Sequence, residues 1–143
     1  MTNGDPFDLN RFVTAQASVI DQVTRELSAG RKTSHWMWFV FPQLRGLGHS
    51  AMSYTYGIAS LDEARAYLAH PVLGQRLRDC TVLVNRHRGR TIHEIFGSPD
   101  DLKFHSSITL FDIASGHEEP FITALNIHFA GIGDEATLRS LGG

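Results

Sequence analysis

Residues 8–29 read DLNRFVTAQASVIDQVTRELSA, and this stretch decides the fold class. Leu9, Phe12, Val13, Ala17, Ile20, Val23 and Leu27 recur at three- and four-residue intervals, the spacing of one helical face. Gly30 stands where a C′ glycine ends such a helix. The expectation is one amphipathic helix from Asp8 to Ala29 whose apolar stripe needs a partner. Further along, Ser60-Leu61-Asp62-Glu63 has the spacing of a capping box and predicts a helix to about Ala69. Pro71 suits a first helical turn, and Leu73, Leu77, Cys80, Thr81 and Val84 form an inner stripe to about His87. Ile92 to Phe96 is a short apolar turn. Ser98-Pro99-Asp100-Asp101 supplies a cap serine, a proline at N1 and two carboxylates at the positive end of the dipole. It predicts a central helix to Ala114 or Ser115, stopped by Gly116. Pro120 opens a helix to about Phe129, and Asp134-Glu135 opens a last one to Leu141. Strands do not alternate with these helices. The fold expected is mainly α: a compact single-domain bundle of six or seven helices over residues 1–143, with a few short strands or turns near 36–58 as the one departure.

The 143 residues suit one domain, and 42% apolar with 20% charged side chains is an ordinary globular mixture. A chain of this size buries roughly 68–70% of its unfolded surface, enough for a core without covalent staples. The single cysteine, Cys80, excludes an internal disulfide and fits a reducing, cytoplasmic setting. The N-terminus lacks a basic region followed by an apolar one, and the longest apolar run, Trp36–Phe41, is far short of a membrane span. Residues 1–90 carry 11 basic and 7 acidic side chains, and residues 91–143 carry 2 and 8. The overall charge of −2 argues against a general nucleic-acid binder. Composition leaves oligomeric state open.

Several motifs have plain structural readings. Gly46-Leu47-Gly48-His49-Ser50-Ala51 matches a dinucleotide-loop pattern, but Pro42 lies in its approach and no βαβ unit surrounds it. It reads as a tight glycine turn. The eight histidines lack metal-ligand spacing, so neither a metal site nor a cofactor is expected. Arg86-His87-Arg88-Gly89-Arg90 reads as a solvated helix end, with a phosphate grip as the sharper alternative.

Two features point to a ligand. The aromatic cluster Trp36, Trp38, Phe39 and Phe41 is bracketed by Ser34, His35, Gln43 and Arg45. Apolar walls with a few aimed polar groups are the usual make-up of a binding site. One tryptophan is expected in the core and the other in a cleft wall. On the helix from Pro99, Lys103, Ser106 and Ser107 are three and four residues apart and share a side. Lysine is scarce here, only Lys32 and Lys103 against eleven arginines.

Ser34–Gly48 (SHWMWFVFPQLRGLG), Tyr56-Gly57-Ile58, Tyr67–Gly74 (YLAHPVLG) and Asp101–Phe111 (DLKFHSSITLF) together resemble a bacterial family, domain of unknown function 1810. The resemblance spans nearly the whole chain and implies a largely helical fold. Members are sometimes labelled calpastatin, a label this chain, without repeats or a disordered composition, does not support. A fainter similarity is to helical NADAR-type domains, which act on N-glycosidic bonds of ADP-ribose-like or riboflavin-precursor nucleotides. It transfers no catalytic residue.

The expected site lies between Ser34–Gly48 and the Pro99 helix. Trp36 or Trp38 stacks on a ring, Lys103 and Arg45 hold a phosphate or carboxylate, and Ser34, Gln43, Ser106 and Ser107 add polar contacts. His35, with an unperturbed pKa near 6.5, is the candidate for moving a proton. The ligand expected is small and anionic, of nucleotide or ADP-ribose type; binding is the expectation, and whether hydrolysis or transfer follows is left open by the sequence. The alternative is a protein-interaction or regulatory module that docks through an exposed aromatic patch.

Overall fold

The apolar periodicity of residues 8–29 is realised as two helices, not one. In the computed structural model, which describes residues 4–142, α1 spans Asn10–Ala17 and α2 spans Ile20–Ala29. The break falls at Ser18 and Val19, where Val19 N–H turns back to Gln16 O at 3.0 Å. Serine followed by two β-branched residues, Val19 and Ile20, is a weak helical run. The break lets the two stripes face different partners. Phe12 and Gln16 turn toward α3 (Met37–Val40), and Val23 and Leu27 toward α6 (Leu73–Asn85). Gly30 closes α2 in the left-handed conformation, as its position predicted.

The remaining helices are α4 (Ala51–Thr55), α5 (Leu61–Ala69), α7 (Ile92–Phe96), α8 (Asp100–Ser115), α9 (Phe121–Phe129) and α10 (Glu135–Ser140). The described residues thus hold ten helices rather than six or seven. The surplus comes from the split of the first helix and from short α3, α4 and α7. Short strands near 36–58 reduce to one parallel bridge, Leu44 with Ile58, closed by Ile58 N–H to Gln43 O at 2.9 Å and Arg45 N–H to Ile58 O at 2.8 Å. The bridge ties the two ends of the loop that carries α4. Gly57 makes this possible, since a Cβ there would lie 2.7 Å from Arg45 Cα.

Central α8 is sheathed by α5, α7, α9 and α10. Its Phe104 ring meets Phe41 at 5.1 Å and stacks on Phe96 at 4.8 Å, and Phe111, two turns later, meets Tyr67 at 5.3 Å. The N-cap of α8 is Pro99, with no side-chain cap, so Ser98 does not play the capping part expected of it. Ser60 does cap α5, accepting from Glu63 N–H at 3.1 Å. Glu63 reaches one residue past the expected box, to Ala59 N–H at 3.0 Å, while its other oxygen pairs with Arg11 at 2.8 Å. From the basic cluster, His87 and Arg90 donate to Leu27 O and Gly30 O, finishing the C-terminus of α2. Cys80 is buried on α6, and burial pushes its thiol up to about 12. No helix among the described residues is long and apolar enough to cross a membrane.

Candidate functional site

The aromatic segment divides at Met37. Its first half wraps around Glu26, a carboxylate only 5% exposed. Glu26 accepts from Gln22 Nε2 (2.7 Å), Thr33 N (2.8 Å), Ser34 N (3.0 Å), Ser34 Oγ (2.5 Å) and Trp36 Nε1 (3.0 Å). Burial by itself raises its pKa, but the donors around it win and hold the carboxyl well below the usual carboxylate range. Ser34 and Trp36 are therefore committed to Glu26, with Ser34 half-buried and Trp36 in the core at 1% exposure. His35, between them, is exposed on the outside and lines none of the cavities around this segment. Glu26 went unread in the sequence, although it lies beside Leu27 and three residues from Val23, on the buried side of α2.

The second half builds a cleft. Trp38 is half-buried, and its Nε1 is buried without a hydrogen-bond partner among the described residues. The Lys103 ammonium sits 5.3 Å from the centre of the Trp38 ring, at cation–π distance. Met37, Trp38, Gln43, Ser53, Tyr56 and Lys103 line a narrow pit. Gln43, Ser53 and Lys103 also line a wider neighbouring cleft of about 390 Å³. Gly48, His49 and Ser50 form one wall of that cleft, and Pro99, Leu102, Lys103 and Ser106 of α8 form the other. Gly48 is required there, because a Cβ would lie 2.4 Å from Ser53 Oγ.

The α8 wall is one helical stripe, positions 99, 102, 103 and 106. Ser106 belongs to it, donating to Leu102 O and Asp134 Oδ2, both at 3.2 Å. Asp134 caps α10 through Thr137 N–H (3.0 Å) and closes the far end of the cleft. Ser107 does not share this stripe. It is 0% exposed, with its Oγ buried and unpartnered among the described residues. One residue turns a helix by about 100°, and α8 is packed on so many sides that only a narrow strip reaches the cleft. Arg45 is also elsewhere. Its Nε donates to Tyr54 O at 3.0 Å, its guanidinium lies 4.7 Å from the Tyr54 ring centre, and it opens onto a separate cavity beside Arg11 and Glu63.

Of the nine residues picked from sequence, Trp38, Gln43, Lys103 and Ser106 come together, while Ser34, His35, Trp36, Arg45 and Ser107 do not join them. Ser53, His49 and Asp134 complete the lining and were not picked. Ser53 had a local signal, since the Ser50 hydroxyl caps α4 by accepting its N–H at 3.0 Å. The exposed aromatic patch of a docking module is absent from this segment, because Trp36, Phe39 and Phe41 are all buried. Among the described residues, no three His, Cys, Asp or Glu side chains are grouped to hold a metal ion. What the cleft offers is one ammonium, a carboxamide, hydroxyls, an imidazole and the Asp134 carboxylate, and the pit beside it adds the half-buried Trp38 indole.

No curated protein matches the chain. Among solved structures, the crystal structure of the conserved hypothetical protein Rv1873 from Mycobacterium tuberculosis superposes with a TM-score of 0.95 at 56% identity, covering 97% of this chain and 99% of that one. The family described as protein of unknown function DUF1810 matches residues 6–141. With the match running from the loop before α1 to the end of α10, the chain belongs to the DUF1810 family.

Proposed function

We propose that the cleft between the 43–53 loop and α8 binds a small anionic ligand that carries a flat ring, of nucleotide or ADP-ribose type. The observation that carries this reading is the pairing of Lys103 with Trp38, an ammonium over a half-buried indole. That indole lines the narrow pit that shares Gln43, Ser53 and Lys103 with the cleft, so a ligand whose anion meets Lys103 lies beside an aromatic wall. Lys103 supplies the charge-assisted contact to a phosphate or carboxylate, and Gln43 and Ser53 supply neutral ones. If hydrolysis or transfer follows binding, the proton falls to His49, which lines the cleft, rather than to His35, which does not.

A thermal-shift screen with nucleotides, ADP-ribose and sugar phosphates tests this. A ligand at 100 times its Kd stabilises the fold by about 2.7 kcal/mol. Lys103→Ala is expected to leave the fold intact and to weaken binding by about 1.5–3 kcal/mol, the range for a hydrogen bond to a charged group. No shift with any compound, or a shift that survives Lys103→Ala unchanged, overturns the reading.

A further inference from the structure

The two lysines of this chain share one carboxylate, and each lies against one of its two tryptophans. Lys32 Nζ is 2.8 Å from Asp100 Oδ2 and 5.0 Å from the Trp36 ring centre. Lys103 Nζ is 3.7 Å from Asp100 Oδ1 and 5.3 Å from the Trp38 ring centre. The two cations are not equivalent. The Lys32 side chain is 6% exposed, so the carboxylate at 2.8 Å offsets much of the cost of burying its charge. Asp100 is thereby committed to Lys32 by the short contact, and the longer one to Lys103 is a loose pair. The cluster of two ammoniums and one carboxylate has a surplus of one positive charge, and that surplus sits on Lys103 at the cleft, whose other carboxylate, Asp134, is engaged at the far end by Ser106 and Thr137.

We propose that Lys32 is a positioning residue for the cleft: by neutralising Asp100 from the buried side, it leaves the Lys103 ammonium free to meet one anionic group of a ligand. Lys32 itself lines neither the pit nor the cleft and touches no ligand there. The inference rests on the anion-binding reading above for its consequence, but its physical core is the charge presented beside Trp38 and is measured without a ligand. It also narrows the ligand class, since one uncompensated cation matches one phosphate or carboxylate better than a polyphosphate chain.

Quenching of tryptophan fluorescence tests the charge directly. Trp36 is sealed in the core, so the quenchable emission comes from Trp38. Iodide, an anion, senses the local potential, and acrylamide, neutral, corrects for access. The ratio of iodide to acrylamide quenching is compared at constant ionic strength near 0.1 M, where the screening length is about 10 Å. One unit charge at this range is worth about a two-fold change. Lys32→Met is expected to lower the ratio about two-fold, because Asp100 is then compensated by Lys103 alone. Asp100→Asn is expected to raise it by a similar factor. The double variant Lys32→Met/Asp100→Asn is expected to return to the wild-type ratio, although neither altered side chain lines the cleft. A merely structural role for Lys32 predicts no such reversal of sign. Should Lys32→Met fail to fold, the step from Asp100→Asn to the double variant still reads the contribution of Lys32. Equal ratios in all folded variants, or a double variant that stays away from wild type, overturn the proposal. Titration of the same proteins with nucleoside monophosphates separates the two readings: the quenching pattern without any binding leaves the charge relay standing and removes the ligand class.

Discussion

Glu26 makes no ion pair among the described residues, yet it is ionised in the interior because donors from Gln22, Thr33, Ser34 and Trp36 replace its water. Glu26→Gln keeps the shape but turns an NH2 toward groups that themselves donate. The expected cost is about 1.5–3 kcal/mol, measured by urea denaturation at pH 7. Because the folded carboxyl titrates below its ordinary value of 4.5, the stability it provides is whole above that pH and is lost as the pH falls further. The variant should lack that low-pH loss. The sequence located the aromatic segment but not which tryptophan belongs where. Trp36 is decided by a carboxylate ten residues upstream and Trp38 by a lysine 65 residues downstream. Both are tertiary facts, with no periodicity inside the segment to announce them.

The loop from Leu44 to Ile58 is held by the single bridge, with Gly57 wedged against Arg45 and the Ser53 carbonyl. Gly57→Ala places a methyl group against backbone that cannot swing aside. It is expected to cost about 1–3 kcal/mol, the usual range for overpacking, by thermal or urea melting. Because Ser53 and Gln43 flank this wedge, the same variant is also expected to weaken nucleoside monophosphate binding. Helix ends with chemistry of their own were legible: Gly30 and Gly116 both close helices in the left-handed conformation, and Ser60 caps α5. Elements of four or five residues were not, since α3 and α4 are too short to show a period. Helix α7 carries a local signal in the sequence, the Thr91/Glu94 capping box. The break between α1 and α2 was invisible for another reason. Both halves keep nearly the same apolar phase, and only the separate partners of Phe12 and Val23 reveal that they diverge.

At the scale of the whole molecule, the basic first 90 residues and the acidic remainder meet at the half-buried pair of Lys32 and Asp100, so the charge imbalance read from sequence is partly cancelled there. Acid stability belongs to this scale as well. His128 is held neutral, chiefly by burial and secondly by Arg88, with its pKa lowered to about 4. The unfolded chain binds a proton there near the ordinary value of 6.5. The stability linked to His128 is therefore complete above pH 6.5 and is lost as the pH falls from 6.5 to about 4. Chemical denaturation across pH 4–7 should show this slope. In His128→Gln, which can still donate to Asn85 Oδ1, the slope in that window should be shallower, while the Glu26 loss at lower pH persists.

The buried thiol of Cys80 also makes the protein its own clock. A thiolate is the reacting species, and although Cys80 lines a pocket of about 340 Å³ between α2 and α6, a thiol 2% exposed with a pKa near 12 offers almost none to a disulfide reagent at pH 8. Labelling must wait for the seam between α2 and α6 to part, so the modification rate counts openings of a native, unmutated chain. If those openings are global, the rate rises with urea along the full slope of the unfolding transition. A rate that ignores urea would instead show a local parting of the two helices, with the rest of the bundle still closed.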